Sequence, residues 1–243
     1  CYIGNGVVVD CDALRSEPGL SVHFVRYAWP RALGRTFYGA GVPDNVQTSV
    51  AAWGGLLTFP PALALATRAR AAGWDGVVSH WAVPSALAVA HAAPGVPHVA
   101  FLHSADVHLL ERLPLGGRLA ARVVAGARAL AFSSHDLERR FERLVAERLG
   151  AAPRGAVVPI GTDEPPVDPR ERARSRQALG VRGLLVLALA RHVPVKGLDV
   201  AIDAVAGAHG ITLALAGDGP ERAALTERAA AYGSDVRFVG TVT

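Results

Sequence analysis

Residues 183–240 constrain the fold more tightly than any other part of the chain. Short, almost unbroken apolar runs alternate there with amphipathic stretches of helical length. The pattern predicts strand 183–190, helix 198–207, strand 211–216, helix 220–232 and strand 236–239. Strands that carry apolar residues at every position are covered on both faces. Strands joined through helices of ten to fifteen residues pair in parallel, because a hairpin cannot connect them. The class is therefore α/β, with parallel sheets built from βαβ units.

The upstream sequence repeats this alternation less regularly. Strands are expected at 20–27, 75–79, 96–102, 127–133 and 156–160, with a short candidate at 7–9. The stretch 46–72 is helical in character, but Pro60 and Pro61 fall inside it, which predicts two helices joined there. Helix 84–92 carries Pro84 in its first turn. Helix 107–126 breaks around Pro114 to Gly117. Helix 135–149 places Leu137, Phe141, Leu144 and Val145 on one face, with Ser133 or Ser134 as its cap. Residues 30–45 read as loop, and 169–179 as a polar helix. Residues 161–169 hold three prolines and three acids and read as a connector between two domains, 1–166 and 167–243. The first strand of the first domain is expected to be missing. The second domain, with three strands, is expected to be incomplete.

Composition excludes more than it specifies. Of 243 residues, 51% are apolar and 19% charged, and the net charge is +4. Such a charge suits acidic small ligands or an anionic surface but demands neither. Cys1 and Cys11 are too few for a disulfide framework, and no CxxC occurs, so a reducing, cytoplasmic setting is the default. No apolar run approaches the length of a membrane span. The chain begins at Cys1 without methionine and both ends read as cut. The arginine-rich stretches 118–128 and 139–154 could face an anionic surface, but Glu138, Glu142 and Glu147 interleave with the second, as in a solvated helix face. Contact of these helices with the inner face of a membrane is left open. No aromatic pattern or zinc-finger spacing points to nucleic acid.

Lysine is rare, which makes its one occurrence informative. Lys196 is the only lysine among 25 Lys and Arg residues. It lies in Arg191-His192-Val193-Pro194-Val195-Lys196-Gly197, between an expected strand and an expected helix. Arg191 and Lys196 at that position are placed to hold a diphosphate, with Gly197 permitting close backbone approach and the helix N-terminus adding N–H donors. The alternative is a pair of solvated loop cations. In Ala216-Gly217-Asp218-Gly219-Pro220-Glu221, Gly217 and Gly219 make a tight strand-to-helix turn. Pro220 is expected at the first helical position, with Asp218 or Gly219 at the start. The longer G-x-G-x-x-G fingerprint is absent, so dinucleotide binding is not supported. Phe101 to His108 follows an expected strand, where ligand sites of open sheets lie. There His103 is a candidate donor to a phosphate or sugar hydroxyl. Asp106 either caps the next helix or holds His103 in one tautomer. His103, Asp106 and His108 match no defensible zinc spacing, and Asp10-Cys11-Asp12 reads as a surface turn. No metal and no cofactor are expected.

Taken in order, these segments resemble the retaining GT-B glycosyltransferases called group 1 or family 4. Val158-Pro159-Ile160-Gly161-Thr162-Asp163 is similar to that family's PNGVD. Arg191 to Gly197 is similar to its GRL-x-x-x-KG, Ala216 to Glu221 to GDGP-x, and Val236 to Val242 to V-x-F-x-G-x-V. His80-Trp81 with Pro84 and Ser85 resembles H-W-x-x-P-S/G, and His103 to Asp106 resembles HGSD. The resemblance spans roughly residues 75 to 243.

It implies two Rossmann-like domains, the first on the acceptor side and the second for a nucleotide-sugar donor. By resemblance, Arg191 and Lys196 hold the donor diphosphate and act in catalysis with His103 and Asp106. Gly161, Asp163, Gly217 and Gly219 shape the cleft, and Gly240, Thr241 and Val242 approach the nucleobase. The implied reaction transfers the sugar with retention to a glycan, lipid or small-molecule acceptor, and needs no metal. Ser104 stands where the family has Gly, and Ile160 where it often has Asn. The chain stops before the two glutamates that the family carries late in its second domain, so these 243 residues alone are expected to be inactive or nearly so. A GT-B epimerase acting on a nucleotide sugar, and a non-catalytic nucleotide- or phosphosugar-binding module, are the alternative readings.

Overall fold

A computed structural model describes residues 19, 21, 23–28, 36, 49–150, 155–161 and 168–242. The chain divides into two compact units, Cys1–Thr162 and Asp163–Thr243. The division falls inside the Pro- and acid-rich connector. The strand expected at 7–9, Asp10 to Asp12, almost all of the loop 30–45, and Asp163 lie outside the described residues. Among the described residues no helix is long and apolar enough to cross a membrane.

The first unit holds a four-stranded parallel sheet in sequential order: β1 (Val77–His80), β2 (His98–Leu102), β3 (Ala129–Phe132) and β4 (Gly155–Val157). Its helices are α1 (Val50–Arg68), α2 (Leu87–Ala92), α3 (Ser104–Arg112), α4 (Gly116–Gly126) and α5 (His135–Leu149). Ala100, Leu102, Leu130 and Phe132 from the strands are buried with Val107, Leu110, Ala120, Val123, Leu137, Phe141 and Val145 from the helices. The Phe132 and Phe141 rings pack 5.7 Å apart. His98 is a satisfied core histidine. Its Nε2 meets Ser79 Oγ at 2.7 Å and its Nδ1 meets the Gly126 carbonyl at 3.2 Å. Helix α5 is bounded by its sequence signals: Ser134 Oγ accepts from Leu137 N at the start, and Gly150 closes the end in the left-handed conformation at φ 65°.

Two expectations fail in this unit. Residues 50–68 form one helix with Pro60 and Pro61 inside it, not two helices. The prolines remove two backbone donors, yet α1 packs along α2, and tertiary contact outweighs local propensity. The described residues of 20–27 belong to no strand. An apolar β-branched run becomes a strand only when a neighbouring strand pairs with its backbone. Residues 82–92 also differ in detail. Ala82–Ala86 form a wide turn, with Ala86 N donating to the Trp81 carbonyl at 3.0 Å, and the Val83–Pro84 peptide is cis, before α2 begins at Leu87.

The second unit holds a three-stranded parallel sheet, β5 (Leu184–Leu189), β6 (Ile211–Ala216) and β7 (Val236–Gly240), in that order. Helices α6 (Pro169–Ala178), α7 (Leu198–Val205) and α8 (Arg222–Tyr232) accompany it. Asp168 caps α6, its Oδ1 accepting from Arg170 N at 2.8 Å. The central strand β6 buries Thr212 through Ala216, and Leu213 and Leu215 pack with Leu198, Ile202, Leu225 and Ala229. The edge strand β5 departs from the expected two-sided cover, since Leu184, Leu187 and Leu189 are exposed. Asp203 and Arg228 join α7 to α8 through two 2.6 Å contacts.

Candidate active site

In parallel α/β sheets the loops after the strands' carboxyl ends carry the ligand sites. In the second unit, three such loops are tied together by main-chain bonds. His192 N donates to the Asp218 carbonyl at 2.9 Å, and Glu221 N donates to the His192 carbonyl at 3.1 Å. Gly217 N donates to the Gly240 carbonyl at 2.7 Å. The loop after β5, the turn after β6 and the end of β7 therefore form one surface. It brings His192, beside Arg191, to the Gly217–Gly219 turn and to Gly240; Lys196 and Gly197 lie further along the loop after β5, and the exposed Thr241 and Val242 follow β7.

Glycine at 217 and 219 is a steric requirement of this arrangement. Gly217 has φ +121°, and a Cβ there would overlap the Ala190 carbonyl oxygen. A Cβ on Gly219 would lie 2.5 Å from the His192 carbonyl oxygen. The turn differs from expectation at its end. Helix α8 starts at Arg222 with Glu221 as the capping position, so Pro220 precedes the helix. Asp218 Oδ1 accepts from Gly219 N at 2.7 Å and thereby orders the turn ahead of it.

Lys196 ends a short 3-10 turn, Pro194–Lys196, and is exposed. Gly197 follows at φ 61°, a left-handed conformation that glycine adopts without steric cost. It is the N-cap of α7 and offers no side-chain cap, so the first backbone N–H groups of α7 have no capping side chain. A cation beside uncapped helical N–H groups is a competent anion cradle.

His192 was not singled out by sequence reasoning. It is fully buried, both ring nitrogens lack a hydrogen-bond partner, and its edge packs against Phe238 at 6.1 Å. Burial holds its pKa below the ordinary histidine value; Asp218 opposes that shift and Arg222 adds to it. A histidine in a cationic loop gives no sequence sign that its backbone, rather than its ring, joins two loops.

In the first unit, His103 and Asp106 follow β2. Asp106 is fully buried, with Oδ1 accepting from His103 N at 2.9 Å and Oδ2 from Ala82 N at 2.6 Å. Of its two expected roles, helix capping is the one observed, because the carboxylate engages backbone amides and not the His103 ring. The chain reaches Ala82 through Trp81, the only non-glycine residue with positive φ (79°) among the described residues. The ring of His103 meets His80 instead, Nε2 to Nδ1 at 2.9 Å. His80 is therefore a site residue that sequence reasoning missed as such. His108 Nδ1 pairs with Glu111 Oε2 at 3.1 Å, and no metal-holding group forms among the described residues. Arg140 of α5 pairs with Asp136 on the same helix at 2.7 Å and with Glu111 of α3 at 3.2 Å. Gly161 is exposed at the end of the first unit.

The buried Asp106 carboxyl is pushed up to about 6 from 3.8, because burial outweighs its backbone hydrogen bonds. A folded-state pKa above the unfolded value contributes stability that is fully present below about 3.8 and is lost as pH rises through about 6. Asp106→Asn removes that dependence. The stability difference between Asp106→Asn and the unaltered chain is expected to change by about 2 kcal/mol between pH 4 and pH 7. Denaturant unfolding at the two pH values measures it, and parallel curves for the two proteins would show that folding leaves the Asp106 pKa at its unfolded value.

No family model matches the chain, and no curated protein matches it. Solved structures do. HepE of Anabaena, in complex with UDP and glucose, is similar with a TM-score of 0.60 and 23% identity over 78% of this chain and 53% of its own. Sucrose-phosphate synthase of Thermosynechococcus elongatus is similar with a TM-score of 0.61 and 17% identity over 93% of this chain and 58% of its own. The pneumococcal O-GlcNAc transferase GtfA, in complex with UDP and GlcNAc, gives 0.51 and 14% over 73% of this chain and 37% of its own. The chain thus spans little more than half the length of HepE and of the synthase. These likenesses establish the fold: two Rossmann-like α/β domains with parallel sheets, of the GT-B type.

Proposed function

We propose that this chain belongs to a retaining glycosyltransferase of the family 4 kind, which moves a sugar from a nucleotide-sugar donor to a glycan, lipid or small-molecule acceptor. One observation carries the reading. Arg191, Lys196 and the uncapped start of α7 share one surface with the Gly217–Gly219 turn at the carboxyl ends of β5, β6 and β7. That surface suits a ligand with two adjacent phosphates. UDP accompanies a sugar in the structures of HepE and GtfA, which share the fold.

In this reading the bond between the anomeric carbon and the phosphate oxygen breaks while the acceptor oxygen bonds to the same carbon. The acceptor's proton passes to the departing diphosphate. Negative charge grows on the diphosphate as its sugar leaves. Lys196, Arg191 and the α7 N–H groups stabilise that charge more in the transition state than in the ground state, which is the condition for catalysis. The cations are supplied by side chains, so no metal is required by the scheme. The resemblance assigns Gly240, Thr241 and Val242 to the base and His103 to the sugar or acceptor. Asp106 is a positioning residue, because its oxygens are taken by backbone amides.

Titration calorimetry with UDP, UMP and uridine tests the donor site. Binding is expected to strengthen with each phosphate, by roughly tenfold or more for the second, since each adds a charge-assisted contact. Equal affinity for uridine and UDP would remove the diphosphate surface from the account. Turnover of a nucleotide sugar, assayed with the full reading frame, then separates a transferase from a binding module.

A further inference from the structure

His80 ends β1 and is in register with Phe101 of β2. Phe101 and His103 lie two residues apart, so parallel pairing gathers three rings at one end of the sheet. The three rings lie within 22° of parallel, with centroids 5.3 Å apart for His80 and Phe101, 4.9 Å for Phe101 and His103, and 5.2 Å for His80 and His103. The two imidazoles meet edge to edge, His80 Nδ1 to His103 Nε2 at 2.9 Å, which suits an N–H···N bond in the plane of the rings.

A neutral imidazole carries one N–H and one lone pair. If His103 Nε2–H donates, His80 Nδ1 must accept, and His80 then carries its proton on Nε2. If His80 Nδ1–H donates, His103 Nε2 accepts and carries its proton on Nδ1. Both rings are therefore in the same tautomer, Nε2–H in the first case and Nδ1–H in the second. In either case the two outer nitrogens comprise one donor and one acceptor, which complements the hydroxyls of a sugar. Adding a proton to both rings would break the bond and set two charges side by side. Burial first, and His80 second, hold the His103 pKa below the ordinary value. The Asp106 carboxylate is committed to the His103 and Ala82 amides and takes no part in the ring bond.

We propose that His80 is a positioning residue that fixes the tautomer of His103, so that the two imidazoles meet a hydroxyl-bearing ligand as one unit. The ligand class rests on the transferase reading; the coupling of the rings does not.

Long-range ¹H–¹⁵N correlation spectra of the histidine-labelled chain report each ring's tautomer directly. The expected result is a single, shared tautomer for His80 and His103. His80→Phe keeps an aromatic ring in the cluster but removes its nitrogen, and His103 then shows a population-averaged mixture. In His80→Phe the ionisation of His103 also moves upward, because the charge of His80 is gone. Unlike tautomers in the two rings, or a His103 spectrum unchanged by His80→Phe, would overturn the proposal. UDP binding by the same samples keeps the two readings apart. Coupled rings without UDP binding would leave this inference standing and remove the transferase, and the reverse result would do the opposite.

Discussion

Lys196→Ala weakens binding of a nucleoside diphosphate by about ten- to a hundredfold, the loss of one charge-assisted hydrogen bond at about 1.5–3 kcal/mol. The lower end applies if solvent screens the contact, because Lys196 is exposed in the free chain. Arg191 and the N–H groups of α7 remain, so binding falls without vanishing. Lys196→Arg is not a neutral control, since a planar guanidinium reaches a phosphate with different geometry from an ammonium. Calorimetry with UDP at low and at physiological salt measures both size and screening. The fold should be unaffected, because the Lys196 side chain is solvent-exposed and only its backbone N–H, donating to the Val193 carbonyl at 3.0 Å, shapes the turn. Unchanged UDP affinity in Lys196→Ala would take away the centre of the donor-site argument.

Gly217→Ala should produce the largest loss of stability of any single methyl addition in the second unit. Two costs coincide there. At φ +121° an L-residue is strained by about 1–3 kcal/mol. The new Cβ also overlaps the Ala190 carbonyl oxygen, which is backbone in the loop after β5 and cannot rotate away. Relief requires the two loops to separate, at a further cost of about 1–3 kcal/mol. Together these are about 2–6 kcal/mol, a large share of a domain's net stability. Because the chain has two units, unfolding is expected in two steps, and only the step of the second unit should move. Gly233→Ala is a useful contrast. Gly233 also has positive φ, at 60°, but nothing lies near its missing Cβ, so only the conformational cost applies. Equal losses at the two positions would show that the loop contact at Gly217 is loose.

Much of the fold was legible because local and tertiary signals agree. Helix 135–149 and strand 211–216 were read to the residue, the first from a serine cap and an apolar face, the second from an apolar run between two helical stretches. Reading failed where distant contact decides. Pro60 and Pro61 argue locally for a break, and packing of α1 keeps the helix continuous. Residues 20–27 have the composition of a strand, and the described ones join no sheet. In the site, the lone lysine and the two turn glycines could be picked out from residue type and spacing. His80 and His192 could not, for different reasons. The meeting of His80 with His103 depends on the register of two parallel strands, 23 residues apart in sequence. The contribution of His192 comes from its backbone atoms, to which residue type is silent.

The main-chain stitching of the three loops after β5, β6 and β7 separates two kinds of inheritance. The shape of the surface is written in carbonyls, amides and glycines, whereas part of its charge is written in Lys196, an exposed side chain. A change at 195 or 196 can therefore alter which anion is preferred while leaving the cradle standing. A change at 217 or 219 alters the cradle before it can alter preference. Libraries that randomise the first set should be rich in folded variants with new ligand choice, and libraries at the second set poor in folded variants of any kind.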